Sequence, residues 1–363
     1  MNVFLVCTGL GHINRGYESF ARECFDALKD TETFNLYLIK GGGKNAGNEI
    51  VLPNLPRRKK LTQLLSKYLR INAYTIEQVS FCLALLPLII TKKPVVIYYS
   101  DFELGTYLWH LRRFLKFKYK LLFSNGAPNG PPFKTEDHVQ QLLPIYLEQA
   151  IQQGAPAAMQ TLLPYGFDID TENRIAEIKD KELIRNSLGF SPFQKIILSV
   201  GAVNKHHKRM DYLISEVSKL GDEYHLIILG QFEEETPELI ALAKDKLPER
   251  YTITSVELEK MKNYYIAADY FVLASLNEGF GRVLIEALSY GLPCIVHNYI
   301  NAKQVLGEYA DYINMENEGE LKQRLLTFNH KFDKQDLIET TYHRYSWTIL
   351  KERYLDMINK VTA

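Results

Sequence analysis

The chain is short of cysteine, of charge of one sign and of long hydrophobic runs. Its four cysteines, Cys7, Cys24, Cys82 and Cys294, are scattered through apolar or helical surroundings with no paired spacing. That excludes a disulfide framework and a cysteine-built metal site, and it points to a reduced, cytoplasmic protein. Lys plus Arg and Asp plus Glu balance at 43 each, so nothing in the overall charge draws the chain toward nucleic acid. Met1-Asn2-Val3-Phe4-Leu5-Val6 enters a strand pattern with no basic stretch before it, so no secretory signal is expected. The most apolar window, 81–90, has about half of the roughly 20 residues that a membrane span requires, and Pro87 interrupts it. It reads as a buried helix, with contact at a bilayer surface as the open alternative.

What is present suits two domains, because 363 residues exceed the roughly 250–300 at which a single core stops growing. Charge is balanced globally but not locally. Between 35 and 76 Glu49 is the one acidic residue, against Lys40, Lys44, Arg57, Arg58, Lys59, Lys60, Lys67 and Arg70. Such an excess suits a phosphate-bearing partner or a membrane surface, and a solvated basic loop also accounts for it.

The first half opens as strand, glycine-rich turn and helix. The apolar run 3–7 leads into Thr8-Gly9-Leu10-Gly11-His12-Ile13-Asn14-Arg15-Gly16, and 17–28 has helical periodicity. Glycines there let backbone approach a ligand, with helix N–H groups behind them. A dinucleotide fingerprint would place a third glycine where Asn14 stands and an acidic residue after the second strand, where Lys40-Gly41-Gly42-Gly43 follows instead. A nicotinamide-dependent oxidoreductase therefore rests on the first glycine loop alone. Further strands are expected at 94–99 and 120–124. Ser124-Asn125-Gly126-Ala127-Pro128 then opens a loop, and Asp137-His138 begins a helix in which His138 is a general base or simply a cap. Leu162-Leu163-Pro164-Tyr165-Gly166-Phe167-Asp168 marks the domain boundary, followed by a charged helix over 171–188. The Asp168-Ile169-Asp170 spacing suits a divalent metal, but as a linker it reads as a turn and helix cap.

The second half repeats the alternation, with strands at 195–201, 225–230, 251–255, 270–276 and 293–297 and helices between them, which predicts two doubly wound parallel sheets. Lys205, His206, His207, Lys208 and Arg209 lie at a strand-to-helix turn and form a candidate phosphate clamp. The richest stretch is Asn277-Glu278-Gly279-Phe280-Gly281-Arg282-Val283-Leu284-Ile285-Glu286-Ala287. A strand, a glycine turn and a helix start present unpaired N–H groups to an anion. Glu286 falls in an apolar run, where a buried carboxylate needs a partner. A helix cap plus one solvent-facing glutamate explains the same residues, and local physics leaves both open. An aromatic helix over 342–358 ends the pattern.

Taken together, the glutamate pair in Glu278-Gly279-Phe280-Gly281-Arg282-Val283-Leu284-Ile285-Glu286-Ala287, the following Leu288-Ser289-Tyr290-Gly291-Leu292-Pro293-Cys294-Ile295, Ser199-Val200-Gly201 with Lys208-Arg209-Met210-Asp211-Tyr212-Leu213-Ile214, Pro164-Tyr165-Gly166-Phe167-Asp168 and Tyr345-Ser346-Trp347 resemble the family 4 retaining glycosyltransferases of the GT-B fold. The match spans about 162–312 and is diffuse before it. The resemblance implies two Rossmann-like domains facing across a cleft, an acceptor domain at 1–164 and a donor domain at 165–344, with a C-terminal helix at about 345–363 crossing back. It implies sugar transfer with retention from a nucleoside-diphosphate sugar to a hydroxyl of a glycan, lipid-linked or small-molecule acceptor, without metal or cofactor. Peripheral membrane contact through the basic 40–70 region, at the inner face of the membrane, fits that picture.

By the same resemblance Glu278 contacts the donor sugar, the amides of Gly279, Phe280 and Gly281 meet sugar hydroxyls or phosphate, and Glu286 takes the ribose. Lys208 meets the diphosphate, Gly201 and Gly11 leave it room, and Thr254, Ser255 and Val256 frame the base. Glu278, Lys208 and His138 are the candidate catalytic residues. Two departures stand out. Ala202 occupies the place of a family arginine, which Arg209 or Arg15 would have to replace, and Ser124-Asn125-Gly126-Ala127 lacks the family histidine, leaving His12 or His138. A silent nucleotide-sugar-binding protein on the same scaffold is the competing expectation.

Overall fold

The computed structural model describes residues 1–13, 15–126, 130–131, 133–329 and 331–362. Asn14 of the first glycine loop and Ala127 and Pro128 of the expected ligand loop lie outside the described residues. The chain divides into two compact units, Met1–Asp168 with Tyr345–Ala363, and Ile169–Arg344.

The first unit is built on a seven-stranded sheet of β1 (Asn2–Cys7), β2 (Asn35–Lys40), β3 (Glu49–Val51), β4 (Val96–Tyr99), β5 (Lys120–Asn125), β6 (His138–Gln141) and β7 (Gln160–Leu162). Their order is β3-β2-β1-β4-β5-β6-β7, every pairing parallel. Val3 to Cys7 and the whole of β4 are buried, as expected for strands with helices on both faces. The helix Trp347–Thr362 belongs to this unit. Phe167 N–H donates to Tyr345 O at 2.8 Å and Trp347 N–H to Phe167 O at 3.0 Å. Phe20 stacks on Tyr165 at 4.0 Å and on Trp347 at 6.1 Å, and the Tyr354 hydroxyl donates to Pro164 O at 2.7 Å.

The second unit holds six strands, β8 (Lys195–Val200), β9 (Tyr224–Leu229), β10 (Tyr251–Thr254), β11 (Tyr270–Leu273), β12 (Cys294–His297) and β13 (Ala310–Ile313). Their order is β10-β9-β8-β11-β12-β13, again parallel throughout. Its core joins Ile197, Leu226 and Val272 of the strands to Leu213 and Val217 of helix Met210–Val217. The two doubly wound sheets are those expected from the alternation of strand and helix patterns.

Four local expectations are corrected. The apolar window 81–90 is part of a 20-residue helix, Ala73–Lys92, that carries Pro87 inside it and is long and apolar enough to cross a membrane by length and composition. Tertiary packing of Phe81, Cys82, Leu85 and Ile89 into the core holds the helix through the proline. His138 begins no helix. It is the first residue of β6, paired with Leu122. The charged segment 171–188 is two helices, Thr171–Glu177 and Lys181–Ser187, separated by a 3₁₀ turn. The C-terminal aromatic pattern is likewise two helices, Lys334–Tyr345 and Trp347–Thr362, because Ser346 leaves the helix to bridge Phe167.

The turns after β8 and β9 lie backbone against backbone. A Cβ added at Gly230 would sit 1.6 Å from the Gly201 carbonyl oxygen, and Gly230 N–H is already held by Thr254 O at 3.1 Å. Gly230→Ala is expected to cost about 3 kcal/mol, the upper end of overpacking in an interior. An unchanged urea midpoint would show that these turns separate freely.

Candidate functional site

In an open parallel sheet the ligand crevice lies beyond the strand C-termini where the order reverses, because the connections there leave to opposite faces. In the second unit that point lies between β8 and β11. Gly201 follows β8, and a Cβ there would lie 2.9 Å from Lys208 Cε and 3.0 Å from Cδ, so the glycine makes space for the lysine stem. Asn204, nearly fully buried, organises the turn. Its Oδ1 accepts from Lys208 N–H at 2.8 Å and His207 N–H at 3.2 Å, while Nδ2 donates to Glu233 at 2.9 Å. Arg209 caps helix Met210–Val217 with φ +52, and that left-handed backbone sends consecutive side chains apart.

The five-residue cluster therefore does not act as one clamp. Lys205 pairs with Glu238, and His206 meets Glu235 at 3.1 Å. Arg209 donates to Met315 O at 2.7 Å and lies 4.6 Å over the Tyr212 ring. That arginine is committed elsewhere and does not fill the place of the arginine missing at Ala202, contrary to one expectation. Lys208 alone of the cluster forms an ion pair with Glu278 through its ammonium, with His207 Nε2 3.8 Å from the same carboxylate oxygen.

Glu278 lies in the turn beyond β11, its side chain 12% exposed. Asn301 Nδ2 donates to Glu278 O at 2.7 Å and pins that turn from the helix Ile300–Leu306. Gly281, at φ +71, starts the helix Arg282–Ser289, which has no side-chain cap. Its first N–H groups and the positive end of its dipole therefore stand beside the Lys208–Glu278 pair in chain order, an arrangement that favours an anion. Phe280 is buried, and so is the Ser275 hydroxyl, which has no hydrogen-bond partner among the described residues.

Glu286 is not the buried charge expected from its apolar neighbours. Its side chain is 30% exposed. The buried charge of the run is Arg282, 5% exposed, whose Nε lies 4.0 Å from Glu286 Oε1 one turn on. The Tyr265 hydroxyl donates to Glu286 Oε2 at 2.9 Å, and the Tyr265 ring stacks on Tyr290 at 5.4 Å with planes 2° apart. Burial first, and then the adjacent carboxylate, push the Tyr265 phenol well above its ordinary pKa, so it acts as a donor to Glu286. Thr254, Ser255 and Val256 lie at the end of β10, two strands from β8, with Thr254 O held by Gly230 N–H.

The remaining candidates sit in the first unit. Gly11 has φ +94, and a Cβ there would lie 2.3 Å from the Gly42 carbonyl carbon. Its smallness is thus demanded by the unit's own backbone packing. Arg15 precedes helix Gly16–Leu28 and donates to the buried Glu18 at 2.8 Å. His138 is buried, its Nε2 2.7 Å from Thr161 Oγ1, and burial lowers its pKa to about 4. Enclosed between neighbouring strands, it is in no position to take a substrate proton, which corrects its candidacy as a base. Asp170 caps its helix through Asn173 N–H at 3.1 Å, and among the described residues no group of three His, Cys, Asp or Glu could hold a metal ion.

Reading the residues in chain order missed Asn204, Asn301 and Tyr265. Each acts through a partner at least one element away, apart from Asn204, whose helix-turn role was visible as an Asn four residues before Lys208.

Residues 180–331 match the family described as glycosyl transferases group 1. The mannosylfructose-phosphate synthase of Agrobacterium fabrum is 29% identical over 181 residues, covering 45% of this chain and 38% of that protein. The chain spans about two fifths of the length of the curated relatives it matches first, between 37% and 42%. Among solved structures, the sucrose-phosphate synthase of Thermosynechococcus elongatus superposes with a TM-score of 0.77 at 17% identity, over 99% of this chain and 98% of that one. Anabaena Alr3699/HepE in complex with UDP-glucose gives 0.74 at 14% identity, over 99% of both chains. At such identities the shared property is the fold, and that fold is GT-B.

Proposed function

We propose that this chain, whose residues 180–331 match the family described as glycosyl transferases group 1, transfers a sugar from a nucleoside-diphosphate donor to an acceptor hydroxyl, with retention and without a metal. The observation that carries this is the Lys208–Glu278 pair at the β8/β11 reversal, next to the uncapped helix start at Gly281. A leaving diphosphate gains negative charge, and fixed cations and N–H groups that need no reorganisation stabilise it most. In this reading Lys208 exchanges Glu278 for the diphosphate when donor binds. Glu278 is thereby released to the sugar hydroxyls, and the Gly279, Phe280 and Gly281 amides complete the anion site. Glu286, held by Tyr265, takes the ribose hydroxyls, and Thr254, Ser255 and Val256 border the base. No protein nucleophile is assigned, since the departing phosphate assists attack on its own face.

Support for a uridine donor comes from the HepE neighbour, whose structure contains UDP-glucose. The acceptor belongs to the first unit, as a glycan, lipid-linked or small-molecule hydroxyl. The chain then works in the cytoplasm, at the inner face of the membrane where the acceptor is lipid-linked, with the basic 40–70 region as the contact.

Glu286→Ala tests the donor site. Loss of charge-assisted bonds to two hydroxyls is expected to weaken nucleoside-diphosphate binding by tenfold or more, at about 1.5–3 kcal/mol for such bonds. Isothermal titration of the variant giving the wild-type Kd would place the ribose elsewhere. A silent binding protein is favoured by one observation, the commitment of Arg209 to Met315 while Ala202 offers no charge. Donor hydrolysis or transfer across an acceptor panel separates the two.

A further inference from the structure

The helix Lys60–Leu69 is amphipathic in a way its own unit does not use. Thr62 is fully buried, and Leu65 and Ser66 are partly buried, so the inward face runs through those residues. Leu61, Leu64 and Tyr68, at i, i+3 and i+7, form a stripe on the open side and are 58%, 65% and 86% exposed. Leu69 and Ile71, 50% and 44% exposed, extend it. Scattered exposed leucines are ordinary, whereas a continuous apolar stripe marks a contact surface.

Charge specifies the contact. Arg58, Lys59, Lys60, Lys67 and Arg70 are exposed, and among the described residues none of them forms an ion pair, while Arg57 is taken by Glu77. No carboxylate occurs between 50 and 76. Lys59 and Lys60 stand at the positive end of the helix dipole, with no acidic residue in the first turn and no side-chain cap. That is the unfavourable end for a cation. A local rule broken in this way marks a surface shaped by something other than the helix's own stability. A second copy docking through the same face would set these cations against each other, which argues against self-association.

We propose that the helix Lys60–Leu69 lies in the plane of an anionic lipid surface, with Leu61, Leu64 and Tyr68 inserted at the headgroup–acyl boundary and Lys59, Lys60, Lys67 and Arg70 on the phosphates. An apolar stripe flanked by Lys and Arg is the pattern of interfacial helices. Basic side chains near such a surface contribute about fivefold in partition each. The inference deepens the membrane contact proposed above and rests on that reading only for the location of the acceptor.

The test uses the whole chain, without donor or acceptor, so its failure leaves the transferase reading intact. Wild-type protein is expected to sediment with vesicles of phosphatidylglycerol and phosphatidylcholine and to stay in solution with phosphatidylcholine alone. Leu64→Ser with Tyr68→Ser, and separately Lys60→Glu with Lys67→Glu, are each expected to lower the partition at least tenfold. Thermal midpoints should hold, since all four side chains are exposed. Equal sedimentation of wild type and both variants overturns the proposal, as does wild type that ignores anionic vesicles. A dimer in sedimentation velocity that Leu64→Ser with Tyr68→Ser dissolves, with no vesicle binding, assigns the face to a second copy instead.

Discussion

Lys208→Ala is expected to lower kcat/KM for sugar transfer by about 10²–10³-fold, the cost of removing one preorganised charge from a site where negative charge develops. The side chain is held at three places. Its amide is fixed by Asn204, its stem lies against Gly201, and its ammonium meets Glu278. Alanine removes the charge and leaves Glu278, nearly buried, without its ion-pair partner. A carboxylate so stranded repels the incoming diphosphate, so both KM and kcat suffer. The turn itself should survive, because Asn204 holds backbone groups. Arg209 does not rescue the variant, being bonded to Met315 O. Steady-state kinetics with the donor picked out by a nucleotide-sugar thermal-shift panel is the measurement. Near-wild-type kcat/KM would mean that the diphosphate lies away from the β8/β11 reversal.

Asp269→Ala is expected to be the largest stability loss among these substitutions, about 3–4 kcal/mol, toward the lower end of the cost of removing one partner of a buried charge network because the Asp269 side chain is 26% exposed. Asp269 sits between β11 and the helix Lys181–Ser187. Its Oδ1 accepts from Lys181 Nζ at 2.7 Å, and its Oδ2 accepts from Ile196 N–H at 2.7 Å and from the Arg185 guanidinium. Arg185, 6% exposed, also donates to Ala267 O at 2.8 Å. The carboxylate therefore joins the first strand of the second unit to the helix before it. Burial alone would raise its pKa, but the Lys181 ammonium, the Ile196 amide and the Arg185 guanidinium together hold it below the ordinary value. Its contribution is accordingly present at neutral pH. It is lost as pH falls below the unfolded carboxyl value of about 4 and through the lower folded one. Urea titrations should show the wild-type advantage over the variant shrinking only in that acid range. A gap that persists unchanged there would attribute the loss to packing.

The alternation of strand and helix was readable throughout because buried parallel strands form continuous apolar runs of four to six residues. What escaped were β3 and β7, three residues each and too short for any period, and β13, where Asp311 breaks the apolar run and only Ile313 is buried. His138 misled for a related reason. His138-Val139-Gln140-Gln141 contains three polar residues, yet all four are buried, since Gln140 bonds Leu163 O and Tyr354 and Gln141 bonds Asn125 and Gln160. Polar side chains satisfied across strands hide a core strand from a hydrophobicity pattern.

The candidate site divides in the same way. Glu278, Gly281 and Lys208 were legible as glycine turn, helix start and basic turn, each a local property. That Lys208 rather than Arg209 reaches Glu278 was not, nor that Glu286 is half-open while Arg282 is buried. By itself the sequence determined the fold class, the place of the two glycine-bearing turns and the residue types available in them, because propensity and periodicity act within one element. Only the tertiary structure decided which charges meet. Lys208 and Glu278 are 70 residues apart and become partners because β11 lies beside β8. Strand order in a parallel sheet is set by how whole βαβ units pack, and no spacing along the chain encodes it.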